Sequence, residues 1–241
     1  MKLIQRHLTV NKFSRPGKPL KAVRGVVLHW TAKPMGTAED VYNWFQGRAK
    51  GGPQYKGLEY GSTQYVIDFD GTIWEMIPPN EMAYHCGADA YTDDAKKYLS
   101  NYPNDCTIAI EHCTTSWAGE YTPETITASK ILVSILGSKK RGASPILTTH
   151  NDIVKGGWDC PRDKEKVLSL YYPMYSDYAK IKTAAYGYVS DRFDNGSGKV
   201  INPGKVQILD LDFSNNTVLI AGNYQDGTLW VPADAVRLGA E

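Results

Sequence analysis

Short runs in which consecutive positions are apolar constrain this chain more than any other feature. AVRGVVLHW (Ala22 to Trp30) is β-branched and hydrophobic without alternation. A strand of that composition has both faces covered, which places it inside a layered sheet. CTIAIEHC (Cys106 to Cys113) and SPILTTH (Ser144 to His150) read as further short strands. Helical periods lie between them. In GTAEDVYNWFQ, Thr37 is a candidate N-cap, Glu39 and Asp40 are acidic in the first turn, and Val41, Trp44 and Phe45 share one face. In YTPETITASKILVSILGSKKRG, Thr122 caps, Pro123 takes the first helical position, and Gly137 with the basic run closes the helix. Its apolar stripe is Ala128, Ile131, Leu132, Ile135 and Leu136. TQYVIDFDGTIWEMI reads as a hairpin whose Asp70-Gly71 dipeptide suits a two-residue turn with both positions at positive φ. Strands alternating with helices predict an α/β domain over residues 1–181, a mixed central sheet flanked by helices.

From about Tyr186 the pattern changes. VQILDLDF, TVLIAGNY and TLWVPADAVRL are short strands separated by Asn-Asn and Asp-Gly turn signals, with no helical period. They predict a small all-β barrel over residues 182–241, reached through a linker in KIKTAAYGYVSDRFDNGSGK. Lys and Arg number 27 against 26 Asp and Glu, a formal net charge of +1. That balance supplies no field to draw in nucleic acid or an anionic membrane, and no glycine-rich phosphate loop follows a strand. No stretch approaches the ~18 apolar residues of a membrane span. The opening MKLIQRHLTV does not read as a secretion signal, so synthesis in the cytoplasm is expected. Cys86, Cys106, Cys113 and Cys160 are accordingly expected to be reduced thiols.

The polar residues that interrupt these strands carry the chemistry. His29 lies near the end of one apolar strand, His150 closes another, and Cys160 sits in the loop that follows. Ligands bind in the crevice outside the carboxyl ends of strands in an open α/β sheet. Two imidazoles and a thiolate delivered there satisfy three corners of a tetrahedral Zn²⁺ site and leave the fourth open, the catalytic pattern. Glu111 interrupts an apolar strand, where an unpaired carboxylate costs several kcal/mol. Alternation puts it on one face with Ala109 and Cys113, while Ile108, Ile110 and His112 face the other way. A carboxylate beside a metal can take a proton from water and pass it to a leaving amine. Each group also has a plainer role: His29 and His150 as hydrogen-bonded rim residues, Cys160 as a small buried hydrophobe, Glu111 as half of an ion pair. His112, Cys86, Cys106 and Cys113 read as structural, and His7 as solvated.

The order VVLHWTA, YVIDFDGTIWEMIP, AYHCG, IAIEHC, LTTH and DCP resembles the zinc-dependent N-acetylmuramoyl-L-alanine amidases, the family of phage lysins, autolysins and peptidoglycan recognition proteins. The resemblance covers about residues 20 to 165. It implies a single catalytic Zn²⁺ on His29, His150 and Cys160, with Glu111 as the catalytic carboxylate. The family's Trp-His-Ala-Gly segment matches Tyr84-His85-Cys86-Gly87, so His85 is expected to line the cleft, with aromatics from the Trp30, Tyr65 and Tyr84 neighbourhoods against sugar and peptide. Two departures from the family pattern stand out. Thr63 and Gln64 stand where some members carry tyrosine and histidine, and Trp158 stands where some carry lysine, with Lys155 nearby. The implied substrate is bacterial peptidoglycan, the implied enzyme a monomer without membrane insertion. The C-terminal strands resemble an SH3-like wall-binding module. Together these imply a phage or prophage lysin that reaches the wall after release from the host cytoplasm. Two rival readings stay open: a peptidoglycan-binding protein that does not cut, and a thiol amidase with Cys160 as nucleophile and His150 as base.

Overall fold

The computed structural model describes residues 1–57, 59–138, 145–156, 159–171, 186–189, 204–221 and 228–238. Its central sheet has six strands, in the order β1 (Leu3–Gln5), β4 (Ile73–Glu75), β3 (Tyr65–Ile67), β5 (Thr107–His112), β2 (Gly25–Trp30) and β6 (Ile146–Thr149). β2 runs parallel to both β5 and β6, β5 is parallel to β3, and β3 pairs antiparallel with β4. The sheet is therefore mixed, as the alternating elements predict. Register sets His29 opposite Glu111, Trp30 opposite His112, and Glu111 opposite Val66.

Each face of the sheet is covered. Helix α3 (Pro123–Ser138) lays Ala128, Ile131, Leu132, Ile135 and Leu136 on the face that carries Val26, Leu28, Ile108 and Ile110. On the other face, α1 (Ala38–Gly47) packs Val41 and Tyr42 against Val66, and α2 (Asp93–Tyr98) and α4 (His150–Ile153) pack Ala95 and Ile153 against Val27. Each fully buried aliphatic side chain contributes about 1.5–3 kcal/mol, so the two layers lock the strand register. A last short helix, α5 (Lys164–Ser169), adds Val167 to the α3 side. Among the described residues no helix is long and apolar enough to cross a membrane.

Local details differ from the sequence reading. Trp44 is 40% exposed and stacks on Tyr55 at 4.8 Å, while Tyr42 turns inward in its place. The hairpin loop is one residue longer than a two-residue turn. Asp68 N donates to Thr72 O and Gly71 N to Asp68 O, and Gly71 has φ 75° while Asp70 is not in the left-handed region. This is a three-residue loop closed by a bulge, and the Asp68 carboxylate is drawn out to accept from Ala38 N at 3.1 Å. Gly137 lies inside α3, one residue before its end. His150 does not end a strand but opens α4, where Thr149 caps by accepting from Asp152 N. His7 is only partly solvated: its side chain is 26% exposed and its Nε2 lies 2.8 Å from Glu75 Oε1.

The C-terminal strands are β7 (Tyr186–Val189), β8 (Gly204–Asp212), β9 (Thr217–Ala221), β10 (Thr228–Pro232) and β11 (Val236–Leu238). They form an antiparallel sheet in the order β10-β9-β8-β7-β11. Ile208, Leu211, Val218, Ile220, Val231 and Val236 join the hydrophobic cluster of α3. Phe213 lies 5.6 Å from the Tyr65 ring, and Leu3 N donates to Asn216 Oδ1 at 2.7 Å. The expected boundary at 182 lies outside the described residues.

Candidate metal centre

His29 stands one residue before the end of β2 and is only 2% exposed. His150 is carried by the first position of α4, at the same end of the sheet because β6 is parallel to β2. Cys160 follows in the next loop, which is held down twice: Asn151 N donates to Cys160 O at 2.8 Å, and Trp30 Nε1–H donates to Asp159 O at 2.9 Å. Three separate elements thereby converge. Cys160 Sγ is 3.4 Å from His29 Nδ1, the His29 and His150 ring centroids are 4.9 Å apart, and one ligand atom from each of the three lies within 4.8 Å of the others.

The electrostatics suit a cation. Burial, with His150 and His85 next, holds His29 well below its ordinary imidazole range. Burial lowers His150 to about 4, so both rings are neutral near pH 7 and offer lone pairs. Burial raises the Cys160 thiol far above its usual value. A free thiolate nucleophile needs the opposite shift, whereas metal binding expels the thiol proton outright. The donor set therefore fits a metal ion better than it fits a nucleophile–base pair.

Glu111 lies opposite His29 in the β2–β5 register. Among the described residues its Oε2 is buried without a hydrogen-bond partner, and burial pushes the carboxyl up to about 8. An orphaned carboxylate next to a ligand cluster is a group shaped for proton transfer rather than for stability.

A family model described as N-acetylmuramoyl-L-alanine amidase matches residues 19–163, which contain all of these side chains. The chain belongs to this amidase family. A relative named as a probable N-acetylmuramoyl-L-alanine amidase of Bacillus licheniformis is 30% identical over 207 residues, 85% of this chain and 56% of the relative. The N-acetylmuramoyl-L-alanine amidase CwlL of the same organism is 27% identical over 153 residues, 64% of this chain and 40% of that protein. The chain thus spans about half the length of these curated relatives. A crystal structure of an AmpD derivative superposes with TM-score 0.50 at 18% identity, covering 69% of this chain and 93% of that one. That likeness concerns the fold.

Within this amidase frame, the other expected site residues fall in different places. His85 is 6% exposed and turned inward. Its Nδ1 lies 3.1 Å from His29 Nε2 and 3.1 Å from Cys86 Sγ, and its Nε2 lies 3.0 Å from Thr107 Oγ1. His29, His85 and Cys86 form a second group with metal-ligand spacing, sharing His29 with the first. Trp30 is buried, packed between Arg162 at 5.2 Å and the exposed Trp117 at 6.4 Å. Tyr65 is not brought to the cluster. It sits on the α3 face with its hydroxyl 3.3 Å from Glu75 Oε2. Tyr84 flanks His85 and meets Tyr60 edge to face, with ring centroids 5.5 Å apart.

Thr63 and Gln64, the first departure from the family pattern, are built into the fold. Thr63 Oγ1 donates toward Tyr65 O and Ala109 O, while Gln64 accepts from Ala109 N and donates to Glu81 O. Trp158 lies outside the described residues, and Lys155 faces Asp93 at 3.4 Å. Sequence reasoning missed two supports. Asn104 Oδ1 accepts from both His85 N and Cys86 N, at 3.0 and 2.8 Å. His112 Nδ1–H donates to His29 O at 2.7 Å while its Nε2 meets Ser129 Oγ at 2.7 Å and Tyr171 OH at 3.3 Å. Both supports join segments with no shared sequence motif; the only signal was a histidine on the α3 side of an apolar strand.

Proposed function

We propose that this protein is a zinc-dependent peptidoglycan hydrolase that cleaves the amide between N-acetylmuramic acid and L-alanine. One observation carries the reading: His29, His150 and Cys160 bring ligand atoms within 4.8 Å of one another, and Glu111 faces His29 across the β2–β5 pair. Zinc in this group supplies Lewis acidity to the lactyl carbonyl and to water. Glu111 Oε2 takes a proton as the water oxygen bonds to the carbonyl carbon, then delivers it to the L-alanine nitrogen as the C–N bond breaks. His112 pins the His29 backbone, and Trp30 pins the loop before Cys160. His85 and Tyr84 flank the site, and Trp30 borders its rim.

In this reading residues 182–241 serve as an SH3-like wall anchor for a monomeric phage or prophage lysin, which is made in the host cytoplasm and meets its substrate after release. To test the catalytic claim, His150→Ala is compared with wild type for zinc content and for release of soluble peptide from purified walls. Zinc content should fall and release should drop to background. Undiminished release refutes the scheme. Chelator should abolish the wild-type activity and added zinc restore it, the reverse of what a thiol nucleophile gives.

A further inference from the structure

The hydrogen bonds behind His29 form a chain with a fixed direction. Pro103 O can only accept, so the Thr107 hydroxyl, 2.7 Å away, donates to it. With that proton committed, Thr107 Oγ1 accepts from His85 Nε2 at 3.0 Å. A neutral imidazole protonated on Nε2 has a bare Nδ1. That atom lies 3.1 Å from His29 Nε2, which must then be the donor. His29 therefore keeps its single ring proton on Nε2, and its Nδ1 lone pair faces Cys160 Sγ at 3.4 Å. The Cys86 thiol, 3.1 Å from the same His85 nitrogen, adds at most a second weak donor and leaves the direction unchanged.

We propose that Thr107 and His85 are positioning residues: they hold His29 in the Nε2–H tautomer and so decide which of the two ligand groups receives the ion. The group of His29, His150 and Cys160 uses the nitrogen that the chain leaves bare. The group of His29, His85 and Cys86 lies on the His85 side, where the Nε2 it would need is protonated and His85 Nδ1 is already accepting. A buried carbonyl in the turn that leads into β5 thus selects the metal-binding nitrogen three side chains away. Partners beyond the first ligands commonly set tautomer and ring orientation in metal sites. The proposal rests on the metal reading of the site, but its central claim concerns a ring proton that exists without metal.

The test has two arms. Long-range ¹H–¹⁵N correlation spectra of metal-free wild type report the tautomer of His29 directly, and Nε2–H is expected. Zinc affinity is then measured by competition with a chromogenic chelator. His85→Leu, which removes the acceptor, should weaken zinc by about 10- to 100-fold, whereas His85→Asn, whose amide oxygen stands near the Nδ1 position, should recover most of that loss. Cys86→Ala should bind zinc like wild type. An Nδ1–H tautomer for His29 in wild type overturns the proposal. So does a His85→Leu variant that holds zinc as tightly as wild type, or a Cys86→Ala loss equal to that of His85→Leu. If His85→Leu does not fold, the wild-type spectrum decides alone. Should wild type take up no zinc, the metal reading fails while the spectrum still accepts or rejects the relay.

Discussion

Replacing Glu111 with glutamine should stabilise the metal-free protein at pH 8 and leave it nearly unchanged at pH 5. The carboxyl is pushed by burial from an ordinary 4.5 up to about 8. The folded state therefore binds more protons than the unfolded state between those values, so stability falls as pH rises through the window and returns on acidification. At about 1.4 kcal/mol per unit, the full gap would amount to roughly 5 kcal/mol; residual solvent access at this half-buried residue reduces it to about 2–4 kcal/mol between pH 5 and 8. Glutamine keeps the shape and carries no proton to lose. The buried histidines work in the opposite sense. His85 is held to about 3 and His112 and His150 to about 4, each by burial first. Their folded values lie below the unfolded 6.5, so their contribution is lost as pH falls. They are common to both proteins and cancel in the difference. The assay is denaturant unfolding of both proteins with chelator present, at pH 5 and pH 8. A stability gap that does not change with pH would mean that the Glu111 carboxyl is not desolvated, and the reasoning about its proton affinity would fail.

Three further outcomes are expected. Asn104→Ala strands the two buried N–H groups of His85 and Cys86 and should cost about 2–5 kcal/mol in unfolding free energy, with zinc affinity falling alongside; an unchanged midpoint would show that this carbonyl oxygen is not their support. Trp30→Phe keeps the packing with Arg162 but loses the hydrogen bond to Asp159 O, and should cost about 0.5–1.5 kcal/mol by thermal unfolding. Trp230, 43% exposed on β10, is a candidate wall contact: Trp230→Ala should lower retention on purified walls in a co-sedimentation assay while leaving hydrolysis of a soluble muropeptide unchanged, and equal retention would remove the anchoring role from this strand.

The covalent order of apolar runs made the sheet legible, because β2 and β5 are buried on both faces and announce it in every residue. Glu111 was legible for the converse reason, a charge where the strand pattern has no place for one. Tyr65 shows where that logic stops. Val66 and Tyr65 are both apolar enough to be buried, so β3 carries no alternation to tell the Glu111 face from the α3 face; only pairing with Ile110 decides it. His85 was expected in the cleft only because Tyr84-His85-Cys86-Gly87 matches the family's Trp-His-Ala-Gly segment. Its inward turn depends on Thr107 and Asn104, which the fold delivers from beyond α2, and no local spacing encodes that meeting. The loop at Asp70-Gly71 misled in a smaller way, since the pull of Asp68 toward α1 is a tertiary contact.

The register between β2 and β5 has a consequence for how the sequence can vary. Side chains in a strand alternate strictly, so losing one residue from β5 ahead of Glu111 would swing that carboxyl away from His29 toward the α3 face and drop an isoleucine into the cleft, and the same loss from β2 ahead of His29 would turn the imidazole away instead. Substitutions along these strands can be repaired by neighbours that repack; a single-codon deletion cannot, and libraries that sample such deletions should find this pair the least forgiving part of the gene.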